Sequence, residues 1–170
     1  MTDYPVGDPA LDAVLAASRA LVGVTTRSLG TVAEDTSIAQ YRALVVLASR
    51  GPQRVVDLAG ALEVTPSTAT RMCDRLLRKQ LIRRHRSRAD RRAVQVSIAP
   101  AGRAVVDHAT ARRRALLAEV LGRLPAAQQA VVAETLEAFA AAAGEIPDRD
   151  WPASAPAQAA AAAAAAGGTL

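Results

Sequence analysis

The stretch from Asp57 to Ile98 constrains the fold more than any other part of the chain, because it reads as two short helices, a tight turn and a strongly basic hairpin. Its second helix opens at Thr65-Pro66 and carries Ala69, Met72, Cys73, Leu76 and Leu77 at i, i+3, i+4, i+7 and i+8, a single apolar stripe. The polar face holds Ser67, Thr70, Arg71, Asp74 and Arg78, with Thr68 and Arg75 on its flanks. Hydroxyls and guanidiniums on one helix face suit base-pair edges and neighbouring phosphates. Leu81 to Ser87 follows with Arg83, Arg84, His85 and Arg86, then a tip containing Arg88, Asp90, Arg91 and Arg92. On the return, Val94, Val96 and Ile98 alternate with Gln95 and Ser97, the signature of a half-buried strand. A helix-turn-helix closed by an arginine-tipped hairpin is a winged helix, and its expected partner is DNA.

Charge supports that expectation. Between Arg71 and Arg92 stand ten Lys/Arg and two Asp, a balance of +8 in a chain whose net charge is +5, so the remainder carries −3. The basicity is a patch, as a nucleic-acid face requires, and not a general property of the surface. Aromatics are 2% of the chain and the basic block contains none, which leaves no stacking platform for single strands or splayed RNA bases. Duplex DNA is the expected target.

Flanking helices complete the domain. Asp8-Pro9 is an N-cap with proline at the first helical position, followed by an apolar stripe through Leu11, Val14, Leu15, Leu21 and Val22. Ser37 and Gln40 fit a capping box, and the helix they open turns Tyr41, Leu44, Val45 and Ala48 inward before Gly51-Pro52 stops it. A short helix from about Arg54 buries Val55, Leu58, Ala59 and Leu62. Pro100 and Pro125 open two further helices with apolar residues from Val105 to Phe139. The expected fold is therefore mainly α with a small antiparallel β-hairpin wing, flanked by dimerisation helices. Its parts are an N-terminal dimerisation helix (8–36), the winged helix-turn-helix core (37–99), C-terminal dimerisation helices (100–146) and a disordered Ala/Pro-rich tail (147–170) in which Trp151 is expected to be solvent-exposed, with docking back on the body as the alternative. The apolar stripes exceed what one winged helix can cover, which points to a homodimer. The absence of a signal peptide and of a long apolar run points to a cytoplasmic protein.

The segment from Ser37 to Gly102 resembles the winged-helix core of the MarR family of bacterial transcription regulators. The likeness rests on Gln40 to Leu44, Asp57 to Leu62, Val64 to Arg71, Asp74 to Leu76, Leu81 to Arg84, and Asp90-Arg91-Arg92 leading into Val94-Gln95-Val96. The Asp-Arg-Arg wing tip is the most specific of these. The resemblance implies a homodimeric repressor with two recognition helices in successive major grooves of a pseudo-palindromic operator and wings in the flanking minor grooves. It also implies a small-molecule or oxidant signal that weakens DNA binding. The DNA-contacting residues are then Pro66, Ser67, Thr68, Thr70, Arg71, Arg75 and Arg78 on the helix, with Arg86, Arg88, Asp90, Arg91 and Arg92 on the wing. Three positions depart from the family: Glu63 and Gln80 stand where glycine is common, and Ala99 where a capping hydroxyl is common.

No catalytic or metal apparatus is evident. The single cysteine, Cys73, belongs to the buried stripe and is expected to be a small core residue and not a redox switch. His85 and His108 have no ligand-spaced partners, so neither a metal nor a cofactor is expected, and no phosphate loop or nucleophile elbow suggests an enzyme. Arg112-Arg113-Arg114 reads as a solvated stripe, with contact to phosphates or anionic effectors as the alternative, while Arg50 and Arg54 are candidate phosphate contacts. The competing function is an architectural DNA-coating protein without an effector. Against it stands the hydroxyl-rich helix, since architectural binders rely on the minor groove and backbone.

Overall fold

The computed structural model describes residues 8–30, 36–86 and 94–152. The elements run α1 (Pro9–Leu29), α2 (Ile38–Arg50), β1 (Gln53–Arg54), α3 (Val55–Ala61), α4 (Pro66–Arg78), β2 (Ile82–Arg86), β3 (Val94–Ile98), α5 (Pro100–Leu121) and α6 (Ala126–Ala142), followed by a 3-10 turn (Asp148–Asp150). Helix starts follow the capping chemistry of the sequence. Asp8 accepts from the Ala10 amide at 2.9 Å, and Ser37 and Gln40 form the reciprocal capping box. Thr65 accepts from the Thr68 amide at 3.3 Å, with Pro66 at the first helical position. At Ala99 no side chain caps α5.

The core gathers Leu44 and Leu47 from α2, Leu58 from α3, Cys73 and Leu76 from α4, Val96 from β3 and Val106 from α5. α2 lies in the middle of it. Gln40, Tyr41, Ala43, Leu44, Val46, Leu47 and Ala48 are all buried, more of the circumference than a one-sided stripe, while Val45 is only half-buried. The sheet has three strands, in the order β1-β3-β2, where the sequence suggested only a hairpin. Gln53 pairs with Val96 and Arg54 with Gln95, while β2 runs antiparallel to β3 from Ile82↔Ile98 to Arg86↔Val94. β3 is thus the middle strand: Val96 is fully buried, but Val94 is 47% exposed.

Two of the three departures from the family pattern have a geometric consequence. α3 and α4 both end in Schellman turns, in which the Val64 amide donates to Ala59 O at 3.0 Å and the Leu81 amide to Leu76 O at 3.0 Å. The residues turning left-handed there are Glu63 (φ 52°) and Gln80 (φ 58°). A side chain in that region costs about 1–2 kcal/mol, and glycine returns about 0.4–1 kcal/mol of that through its freer unfolded chain. Glu63→Gly and Gln80→Gly should each therefore stabilise the fold by roughly 0.5–1 kcal/mol. Denaturant midpoints check this, and a lower midpoint for both variants would contradict it. Glycine is required at Gly102, where a Cβ would overlap the carbonyl oxygen of Leu81. That close approach seats the first turn of α5 against the turn that leads into β2.

Candidate nucleic-acid interface

α4 is held by one face and offered by the other. Ala69, Met72, Cys73 and Leu76 are buried, whereas Pro66, Ser67, Thr70, Arg71, Arg75 and Arg78 are exposed and Thr68 is half-buried. The anchored stripe fixes the helix rotation, so the arginines project from a rigid base. Their hydroxyl neighbours are partly committed. The Thr70 hydroxyl donates to Pro66 O at 2.9 Å, and the Thr65 hydroxyl lies 3.0 Å from that of Ser67 and 2.9 Å from that of Thr68. These bonds leave oxygen lone pairs available to a base donor and fix where they point.

The first turn of α2 flanks this face. Ser37, Ala39 and Gln40 share a shallow cleft with Thr68, Arg71, Met72 and Arg75, which the sequence reading did not include in the site. On the other side, Arg84 of β2 donates to Asp74 at 3.3 Å. Asp74 therefore braces the recognition helix against the wing strand and is not a free member of the polar face. Arg83, Arg84, His85 and Arg86 are all exposed, so the basic strand presents its charge outward. The tip residues Arg88, Asp90, Arg91 and Arg92 lie outside the described residues.

Other expected phosphate contacts are already engaged. Arg54 makes two bonds to Asp57, at 2.7 and 2.8 Å, and that guanidinium holds the Asp57 carboxyl below its ordinary value. Arg50 reaches Gly144 O at 3.5 Å. Burial pushes the Cys73 thiol up, so it is a poor nucleophile at neutral pH, as a core residue should be. Among the described residues, no group of three or more His, Cys, Asp or Glu could hold a metal ion, and no helix is long and apolar enough to cross a membrane.

Two expectations on the far side of the molecule are corrected. Arg112 to Arg114 is not a uniformly solvated stripe. The Arg113 guanidinium lies 5.5 Å from the centroid of the Tyr41 ring, and its Nε is buried without a partner. Such a donor costs about 1–3 kcal/mol. Trp151 is not a solvent-exposed tail residue either. It packs against the core, donates from Nε1 to Ile146 O at 2.8 Å, and lies 5.8 Å beneath the Arg103 guanidinium. The chain is led there by a third Schellman turn, this time with Gly144 in the left-handed position. Truncation after Asp150 should therefore lower stability by about 1–2 kcal/mol relative to truncation after Pro152, through the lost indole packing and cation–π contact. Equal melting temperatures for the two truncations would refute the docking contribution.

The MarR family model matches residues 36–94. The chain is 36% identical over 75 residues to the uncharacterized HTH-type transcriptional regulator YpoP of Bacillus subtilis (strain 168), covering 44% of this chain and 53% of that protein. It is 36% identical over 86 residues to the HTH-type transcriptional repressor MdtR of the same organism, covering 51% and 56% respectively. The match thus spans about half the length of these curated relatives. Its fold is similar to the crystal structure of RV1404 from Mycobacterium tuberculosis, with TM-score 0.77 and 36% identity over 86% of this chain and 99% of that one.

Proposed function

The chain belongs to the MarR family, and from that premise we propose that it is a dimeric, sequence-specific repressor that reads duplex DNA and is released by a small-molecule signal. One observation carries the reading: an arginine- and hydroxyl-bearing helix face is held rigid by a buried stripe on its opposite side and flanked by an exposed basic strand. Rigid placement matters because bidentate contacts to base edges tolerate little angular error. The similarity to MdtR, a transcriptional repressor, favours repression over activation.

In this reading α4 lies in the major groove, the wing follows the flanking minor groove, and the α2 N-terminus stands over the intervening phosphates. A footprint on DNA neighbouring the gene should reveal one short two-fold-symmetric site. Protection that spreads with protein concentration would instead establish the architectural alternative.

The wing tip supplies a sharper discriminator. Arg91 and Arg92 suit a narrow minor groove, where the negative potential is strongest, and Asp90 is adjacent to restrain one of them. Simple electrostatics forecasts that removing an acid beside DNA tightens binding. Bracing forecasts the opposite: Asp90→Ala weakens operator binding, and the Arg92→Ala defect does not add to it. Tighter binding of Asp90→Ala to every DNA would leave Asp90 a bystander charge.

A further inference from the structure

We propose that Lys79, at the end of the recognition helix, is an acylation site: a small anionic acyl donor held by the neighbouring arginines transfers its acyl group to Nζ, and the lost charge weakens the grip on DNA. Lys79 is the only lysine among the 21 Lys and Arg residues of the chain. Guanidiniums stay protonated in proteins and are not nucleophiles, so the basic face offers a single amine to such a donor.

The geometry sets that amine in a row of cations. Lys79 is the C-cap of α4, and its amide donates to Arg75 O at 3.2 Å, which carries the helical register one residue past Arg78. Arg71, Arg75 and Lys79 therefore recur at i, i+4 and i+8 along one edge of the helix, neighbours standing about 6 Å apart along its axis. All three are exposed, and among the described residues none of them forms an ion pair. The one acid on α4, Asp74, is engaged with Arg84 of β2. Ser37 and Gln40 of the α2 start wall in Arg71 and Arg75, so the row borders a shallow cleft. An unpaired cation row attracts anions, and activated acyl groups are carried on anions: acyl phosphates, or acyl thioesters of a nucleotide-bearing thiol.

In an acyl phosphate the acyl carbon stands two bonds from phosphorus, so a phosphate held at Arg75 brings that carbon towards Nζ and raises its effective concentration there. The amine releases one proton to water and attacks the carbon. The C–N bond forms, the C–O bond to phosphate breaks, the second proton leaves with inorganic phosphate, and a neutral amide remains. With a thioester the C–S bond breaks instead, and that proton leaves with the thiol. The consequence for DNA rests on the repressor reading. A dimer acylated on both recognition helices loses two charges, so the salt slope of DNA binding should fall by about two and affinity by roughly tenfold or more.

The test incubates the full-length protein with acetyl phosphate, and in a second arm with acetyl coenzyme A, following acetylation by intact mass and peptide mapping. Lys79 should be acetylated in at least one arm, and the reactive arm identifies the donor. Raising potassium chloride to about 0.5 M should slow Lys79 about tenfold while leaving the α-amine of the chain unchanged. Arg75→Gln, and a duplex added in excess, should slow it comparably. No acetylation in either arm, or a Lys79 rate indifferent to salt and to Arg75→Gln, would overturn the site. Anisotropy on the acetylated protein reads the consequence, with Lys79→Gln as the neutral mimic and Lys79→Arg as the charged control that resists acetylation. Operator affinity unchanged by acetylation and by Lys79→Gln would overturn the effect on DNA. Failure of the unmodified protein to select any operator would count instead against the repressor reading, and the acetylation rates measured without DNA would stand.

Discussion

Carboxylates introduced together at Leu15 and Phe139 should convert the protein to a monomer and lower operator affinity by roughly 10²–10⁴-fold, the range by which a second linked contact raises avidity. α1 exposes Leu11, Val14, Leu15, Leu21 and Val22, with Leu15 48% and Val22 60% accessible. α6 exposes Val131, Leu136 and Phe139, and has no buried residue at all. An exposed apolar face of this extent marks an interaction surface. Burying one such side chain contributes about 1.5–3 kcal/mol. Several from each protomer outweigh an association cost on the order of 4–15 kcal/mol. In a two-fold dimer each substitution enters twice, so Leu15→Glu with Phe139→Glu places four carboxylates in an apolar seam. Neither position is buried within the protomer, so helix content and cooperative unfolding of the monomer should survive. Light scattering and anisotropy on the same samples read both effects. Wild-type protein that is monomeric at micromolar concentration, or a doubly substituted protein that remains dimeric, would defeat the assignment of this face.

How far such faces could be read from sequence depended on how many neighbours each element has. α4 touches the core on one side only, and its period-3.6 stripe predicted Ala69, Met72, Cys73 and Leu76 as buried. α2 is packed from several sides, so periodicity picked out Tyr41, Leu44 and Ala48 but passed over Ala43, Val46 and Leu47. β1 left no trace because two residues, Gln53 and Arg54, cannot show alternation; its pairing with β3 is entirely a tertiary matter. Asp74 was visible as a polar-face residue, yet its partner Arg84 lies ten positions away across a turn that composition does not fold. Trp151 and Arg113 were misread for a shared reason. Each sits in locally hydrophilic or featureless sequence, and each is half-buried by long-range packing that no local pattern encodes: Trp151 against Arg103, Arg113 against Tyr41. Glu63 and Gln80 show the reverse. The resemblance sets glycine at both positions, and the backbone there is left-handed despite residue types that resist it.

The recognition helix should divide its work between reading and holding. Arg71→Ala and Thr68→Ala are expected to weaken operator binding by about 1–3 kcal/mol each, with little change on random DNA, if they touch base edges. Both sit toward the N-terminal half of α4 beside the first turn of α2, the end a major-groove helix presents to bases. Arg75→Ala and Arg78→Ala, in the last turn, should instead lower affinity for both DNAs and flatten the dependence on salt by about one counterion each. The geometry sets the sign of a further comparison. Asp74 draws Arg84 toward α4 and partly neutralises it, so Asp74→Ala releases a cation to the backbone while loosening the wing strand. Release alone would tighten random DNA and steepen its salt slope. Loosening alone would weaken the operator. Release acts on both DNAs alike, so only loosening shrinks the ratio of operator to random affinity, and anisotropy titrations at several salt concentrations separate the two. Uniform losses on both DNAs for all of Thr68, Arg71, Arg75 and Arg78 would mean that α4 grips backbone throughout, and that sequence is read elsewhere.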